Sequence, residues 1–276
     1  MLVMESTIAV AQMDCVVGDV DANLAKISDL VAEAKRQGAG LVIFPELATT
    51  GYFIADSIAE LAEPVPGRTT DALAAIAARH DVWLVVGMAE AVGDRYYNVS
   101  VLVSPNGLEG TYRKVHLFDT EKATFAVGDE QAVFSTPFGK VALTICYDLL
   151  FPEYIRSLVL AGADLIVNST NWITNEYQRD VWGWVGERTA ALAATRALEN
   201  TVHVAMAART GHESGFDSLG HSCIAAPSGK LLALIEDGEG VAIATVTTAS
   251  KDLDRWRSIA TYLKDRRTDL YRRWGV

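Results

Sequence analysis

Twice in this chain a helix-period segment passes through glycine into a short apolar run: Gly38-Ala39-Gly40-Leu41-Val42-Ile43 and Gly162-Ala163-Asp164-Leu165-Ile166-Val167. Runs with no polar residue on either face form strands covered on both sides, as in the sheets of α/β domains. A second pair of segments, Val103-Ser104-Pro105-Asn106-Gly107 and Ala225-Ala226-Pro227-Ser228-Gly229, recurs at nearly the same offset. Together they imply two related halves, each a sheet with helices on one side. Stacking the two sheets buries the apolar strands.

The remaining pattern fills in this alternation. Ala22 to Gln37 places Leu24, Ile27, Leu30, Val31 and Ala34 on one helical face, and Gly38 ends the helix. A further helix is expected over Thr69 to Arg79, a buried strand over Val82 to Met88, and a hairpin turn at Pro105-Asn106-Gly107. A long helix is expected from about Tyr177 to Asn200, with Trp184, Leu192 and Leu198 on its apolar stripe. Arg196 and Glu199 are spaced there for a structural i,i+3 pair. No linker or low-complexity segment divides residues 1–276, which read as a single domain.

Composition narrows the function classes. Half of the 276 residues are hydrophobic and 21% are charged, so the chain can bury a large core. The net charge of −11 disfavours nucleic acid and anionic membrane as partners. No apolar stretch reaches membrane-spanning length, and Met1-Leu2-Val3-Met4-Glu5-Ser6 shows neither a basic n-region nor a cleavage site. Cys15, Cys146 and Cys223 are scattered, with no C-x-x-C and no His pair at ligand spacing, so neither a disulfide framework nor a metal site is expected. These features lead to the expectation of a cytoplasmic protein.

Three segments carry the chemistry. Leu41-Val42-Ile43-Phe44-Pro45-Glu46 delivers a carboxylate at the end of an apolar strand, followed by Thr50-Gly51-Tyr52. Gly110-Thr111-Tyr112-Arg113-Lys114-Val115-His116-Leu117-Phe118 is a short strand with a lysine. Val141 to Ile145 is a strand that ends on Cys146, with Tyr147-Asp148-Leu149-Leu150-Phe151-Pro152-Glu153 opening a helix behind it. A thiol aimed at a positive helix end is expected to have a lowered pKa. Read singly, Cys146 is a small buried hydrophobe, Glu46 a loop cap and Lys114 an edge-strand charge. In combination they stand at strand ends, where α/β proteins assemble sites. His80, His116, His203, His212 and His221 fall in no protease signature, and neither a Gly-x-Ser-x-Gly elbow nor a phosphate loop is evident.

The order PE-x4-GY, YRKVHLF, CYDLLFPE resembles the nitrilase superfamily of carbon–nitrogen hydrolases. The likeness runs from Ile8-Ala9-Val10-Ala11-Gln12 through Thr195-Arg196-Ala197-Leu198-Glu199-Asn200 to Asp265-Arg266-Arg267-Thr268-Asp269-Leu270-Tyr271. It implies a four-layer α-β-β-α sandwich of two mixed sheets with internal pseudo-two-fold symmetry, and a Glu46-Lys114-Cys146 triad. Glu121, seven residues before Gly128, fits the family's second glutamate, although Val127 stands where the family has proline. The resemblance further implies a homodimer or higher homo-oligomer. The Arg- and aromatic-rich tail over Lys251 to Val276 is expected to pack on a partner subunit.

In this chemistry Glu46 serves as the base for the thiol, while Lys114 and the backbone N–H of Tyr147 hold the oxyanion. Glu121 holds Lys114 and the substrate nitrogen in place. No cofactor is implied. The nucleophile context Cys146-Tyr147-Asp148 with Phe151-Pro152-Glu153 resembles amidase and carbamoylase branches, whereas true nitrilases more often show Trp-Glu after the cysteine. The expected substrate is a small-molecule amide, with Tyr52, Tyr147, Asn171 and Trp172 at the pocket and Trp182 and Trp184 as further walls. An ω-amidase or a carbamoyl-amino-acid hydrolase would need a cation for the substrate carboxylate, for which Arg179, Arg188 and Arg209 are the candidates. A non-catalytic binding relative of the same fold is the reading from a different class.

Overall fold

A computed structural model describes residues 4–274 of the chain. The first half runs β1 (Met4–Gln12), α1 (Val20–Arg36), β2 (Leu41–Ile43), α2 (Ile58–Leu61), α3 (Arg68–His80), β3 (Trp83–Val92), β4 (Arg95–Ser104) and β5 (Gly107–Arg113). After α4 (Glu121–Thr124) come β6 (Val133–Thr136), β7 (Gly139–Ile145), α5 (Pro152–Leu160) and β8 (Leu165–Thr170). Next are β9 (Ile173–Thr174), α6 (Glu176–Trp182), α7 (Gly186–Asn200), β10 (His203–Ala208), β11 (His212–Glu213) and β12 (Phe216–Ser218). The chain closes with β13 (Ser222–Ala225), β14 (Leu231–Ile235), β15 (Gly240–Ala249), α8 (Lys251–Ile259) and α9 (Thr268–Tyr271).

Two six-stranded sheets result, in the orders β15-β1-β2-β3-β4-β5 and β6-β7-β8-β10-β13-β14. Read across each sheet from β15 and from β6, the pairings are the same: antiparallel, parallel, parallel, antiparallel, antiparallel. The paired sequence segments occupy matching places. Leu41–Ile43 and Leu165–Val167 lie in central parallel strands, and the two Pro-containing segments turn the β4–β5 and β13–β14 hairpins. Alternation along β1 sorts its side chains into layers. Ile8 and Val10 join a core shared with Val141, Leu143 and Ile145 of the second sheet, while Ala9 and Ala11 face a core with α1 and α3. Ile155, Leu158, Ala193 and Ala197 bring α5 and α7 onto the other side. Each fully buried Ile or Leu contributes roughly 1.5–3 kcal/mol. The arrangement is an α-β-β-α sandwich.

Helix α1 shows the local logic. Asp19 Oδ1 accepts from Ala22 N at 2.9 Å as the N-cap, the stripe Leu24, Ile27, Leu30, Val31 and Ala34 is buried, and Gly38 follows at φ +89°. The expected long helix over Tyr177 to Asn200 is instead two. Asn175 and Gln178 form a reciprocal capping box at the start of α6, and Gly183 closes it in the left-handed region at φ +60°. Trp184 therefore lies between helices, and Leu198 is exposed on α7, whose buried face is built from Thr189, Ala190, Ala193 and Ala197. The Arg196–Glu199 pair forms at 2.9 Å, and Arg196 Nε also holds the Leu149 carbonyl at 2.8 Å.

Within the tail, α8 docks on its own chain through buried Leu253, and Arg257 donates to the Thr201 carbonyl at 3.1 Å. Residues 1–3 of the N-terminal start and 275–276 of the tail lie outside the described residues. Among the described residues no helix is long and apolar enough to cross a membrane.

Candidate active site

The site is assembled from the ends of strands belonging to both sheets. Past β2 the chain turns through Phe44-Pro45-Glu46 into Leu47, which takes φ +48°. Gly87 on β3 makes room for this turn: a Cβ there would stand 2.7 Å from Glu46 Cα and closer still to Pro45 O and Leu47 N. Lys114 is the first residue beyond β5, fixed by its N–H to Asn98 O at 2.9 Å. Its carbonyl accepts from Gly128 N at 2.8 Å, an approach that a Cβ on Gly128 would block. Glu121 opens α4 and accepts the Phe118 N–H at 2.7 Å. Cys146 follows β7 in the left-handed region at φ +45°, which costs a non-glycine residue roughly 1–2 kcal/mol.

These residues converge. Lys114 Nζ lies 2.6 Å from Glu46 Oε1 and 2.7 and 2.9 Å from the two oxygens of Glu121. Asn98 Nδ2 donates to Glu46 Oε1 at 2.7 Å and to Glu121 Oε1 at 2.9 Å, and the Asn171 N–H reaches Glu46 Oε2 at 3.0 Å. All of these groups are buried. Burial pushes the Glu46 carboxyl up to about 7; Lys114 opposes that rise and Glu121 adds to it. For Lys114, burial works against the ammonium, but Glu46 and Glu121 outweigh it and hold its pKa well above the usual lysine value.

Cys146 belongs to the same electrostatic cluster. Burial first, and Glu46 second, raise its pKa well above the ordinary thiol value, while Lys114 and the Thr170 hydroxyl oppose the rise. The expected lowering by a helix end does not occur. A 3-10 turn over Cys146–Leu150 separates the sulfur from α5, whose first residue is Pro152, and Cys146 is buried. The resting group is therefore a neutral thiol beside a carboxylate that titrates near neutrality.

Cys146 opens onto a cavity of about 430 Å³. Phe118, Tyr147, Trp172 and Trp184 form its walls, with Asn171, Asn175 and Gln178 among the polar contributors and Tyr177 and Trp182 toward solvent. Among the described residues no charged side chain lines it. Trp172 is buried edge-to-face on Trp184 at 5.8 Å and donates its indole N–H to Met206 Sδ at 3.4 Å. Asn171 Oδ1 accepts from Ser218 Oγ at 2.7 Å, leaving its buried Nδ2 without a protein partner. Tyr52 is not on this wall. It is buried against the charged cluster, and burial first and then Glu121 and Glu46 raise its pKa well above the usual phenol value.

Comparison with known proteins matches residues 7–257 to the family described as carbon-nitrogen hydrolase. The chain belongs to the carbon–nitrogen hydrolase family. This hydrolase is 37% identical over 269 residues to a nitrilase from Pyrococcus abyssi (strain GE5 / Orsay), covering 96% of this chain and 98% of the other. It is 34% identical over 254 residues to an (R)-stereoselective amidase from Pseudomonas sp., covering 92% and 88%. Among solved structures it superimposes with a TM-score of 0.81 on a mutant of the amidase from Nesterenkonia sp. AN1. That structure shows covalent addition of the acetamide moiety of fluoroacetamide at the active-site cysteine; identity is 28%, with 98% of this chain and 96% of that chain covered.

Two structural features of the hydrolase escaped the sequence reading. Asn98 is one, a buried amide that alternates with Val99 and Val101 along β4, Asn98-Val99-Ser100-Val101-Leu102-Val103, and a polar residue entering a strand this apolar was its signal. Asp148 is the other. It accepts from Tyr112 OH at 2.7 Å and from Ile145 N at 2.9 Å on one oxygen. On the other it meets the N–H of His116 at 3.0 Å and its Nδ1 at 2.8 Å. It thereby ties the cysteine turn to the lysine segment. The three arginines considered for a substrate carboxylate are elsewhere: Arg209 is buried between Asp14 and Glu213, Arg179 pairs with Asp217 at 2.5 Å, and Arg188 is exposed on α7. None lines the cavity.

Proposed function

We propose that this hydrolase converts a small, uncharged primary carboxamide to its carboxylic acid and ammonia, with Cys146 as nucleophile, Glu46 as proton carrier, Lys114 as oxyanion donor and Glu121 as the anchor of Lys114. The buried contact of Glu46, Lys114, Glu121 and Asn98 beside the thiol carries the reading. Glu46, with its carboxyl near 7, takes the Cys146 proton as Sγ attacks the amide carbon. Lys114 Nζ has three hydrogens: Glu46 takes one, Glu121 a second shared between its oxygens, and the third serves the developing oxyanion with the Tyr147 N–H. The C–N bond breaks as Glu46 returns the proton to the departing nitrogen. A thioester remains. Glu46 then deprotonates a water that attacks it, and the acid leaves as the thiol is restored.

Cavity chemistry supports a neutral amide over the alternatives. An ω-amidase substrate brings a free carboxylate beside its amide, and no cation meets it on this wall. Asn171 Nδ2 is the donor left for the substrate, Trp172 and Tyr147 shape the wall, and Tyr52 acts from behind by closing the charged cluster. A non-catalytic relative would gain nothing from keeping a thiol against a neutral-range base. The proposal extends to a cytoplasmic setting, in keeping with three buried free cysteines, and to a homodimer in which exposed Trp256, Ile259 and Tyr262 of the tail contribute to the contact. An amide panel with product analysis tests the activity. Ammonia with the free acid is expected, carbon dioxide release identifies an N-carbamoyl amide hydrolase, preference for an amide bearing a carboxylate identifies an ω-amidase, and no turnover contradicts the enzyme.

A further inference from the structure

We infer that the hydrolase is shaped for carboxamides whose acyl group carries an aromatic ring, and that α6 supplies the shelf on which that ring lies. The inference rests on the amidase reading and names its substrate class. Volume is the first argument. Acetamide occupies roughly three water volumes of about 30 Å³ each, whereas the space in front of Cys146 is about 430 Å³. Cavities of this size match ligands with a substantial apolar body.

The second argument is what α6 leaves in water. Tyr177, Val181 and Trp182 are 62%, 63% and 73% exposed, and no residue of the helix is buried. Yet both ends of α6 are capped and one ion pair ties it to β12. The Asn175–Gln178 capping box fixes its start, Gly183 its end, and Arg179 pairs with Asp217 of β12 in between. Tyr177, Gln178 and Trp182 all line the catalytic cavity. Two exposed aromatics on a capped helix, continuous with a wall of Trp172, Trp184, Phe118 and Tyr147, make a face for a flat apolar group. A ring tethered to the carbonyl by a few methylenes would lie along this shared wall, while Asn171 Nδ2 remains for a polar atom of the substrate.

The test compares kcat/KM for acetamide, hexanamide and 4-phenylbutanamide in the full chain and in Trp182→Ala, with light scattering on both. The wild type is expected to favour 4-phenylbutanamide over both aliphatic amides, and Trp182→Ala to reduce its ratio over acetamide by about tenfold. Trp182→Phe should retain most of that ratio. Ratios cancel any difference in folded fraction. Equal kcat/KM across the three amides overturns the shelf while leaving the amidase standing; no turnover of any amide removes the amidase reading itself. An unchanged ratio in Trp182→Ala overturns the inference, and a lower oligomeric mass in that variant would then identify α6 as a contact between subunits.

Discussion

The ends of β2 and β8 occupy matching places in the two sheets, each strand lying between parallel neighbours, but they finish in different chemistry. Beyond β2 the chain turns at once into Glu46, whose carboxylate is sealed among Lys114, Glu121 and Asn98. Beyond β8 it continues into Asn171 and Trp172, which face open space in front of the thiol. A repeated framework supplies two strand ends. What each end does is decided by the few residues after it and by how much water they meet. In the proposed mechanism the first end manages protons and charge, and the second holds the substrate.

If that division is right, the largest effect comes from the sealed end. Lys114→Ala should raise the barrier by about 3–4 kcal/mol through loss of the oxyanion donor. It should also destabilise the fold by about 3–5 kcal/mol, because two buried carboxylates lose their cation. Steady-state kinetics with denaturant melts reads both, and a variant that is stable and active would break the comparison. Glu46→Gln comes next, with turnover expected to fall about 10²–10⁴-fold. In the unmodified enzyme kcat/KM should be high above pH 7 and decline as pH falls through about 7, where Glu46 takes up a proton. That acid limb should vanish in the variant.

Asn98→Ala sharpens the same boundary. The Asn98 N–H favours the charged form of Glu46, so its removal should raise the carboxyl pKa and move the acid limb to higher pH. A limb that stays in place would reduce Asn98 to packing. The smallest effects are expected at Cys15→Ala and Cys223→Ala. Both thiols are buried, with pKa values pushed by burial up to about 11 and about 12, and neither lines the cavity. Turnover should stay near the wild-type value in both, with stability lowered by about 1 kcal/mol.

Much of this was legible in the chain. Glycine-to-strand segments announced the paired sheets because a buried parallel strand tolerates no polar face. Glu46 and Cys146 were legible because each closes an apolar run, and Lys114 through the YRKVHLF segment that resembles the family. Glu121 was readable through Gly128, whose missing Cβ lets the chain pass against the Lys114 segment. The split between α6 and α7 was signalled by Asn175, Gln178 and Gly183, but helical periodicity on both sides hid it. The direction of the thiol shift was not legible, since desolvation and the nearness of Glu46 depend on packing across the sheets. Asp148 and Asn98 were missed for a related reason: each acts between segments far apart in the sequence, and only the folded chain shows what they join.

The account turns on a thioester at Cys146. The most direct measurement is mass analysis of the protein quenched in acid during turnover of a primary carboxamide, followed by peptide mapping. An added acyl mass on the peptide containing Cys146, gone in Cys146→Ala together with turnover, is the predicted result. Turnover that continues in Cys146→Ala, or an acyl group found on Cys15 or Cys223 instead, would contradict it.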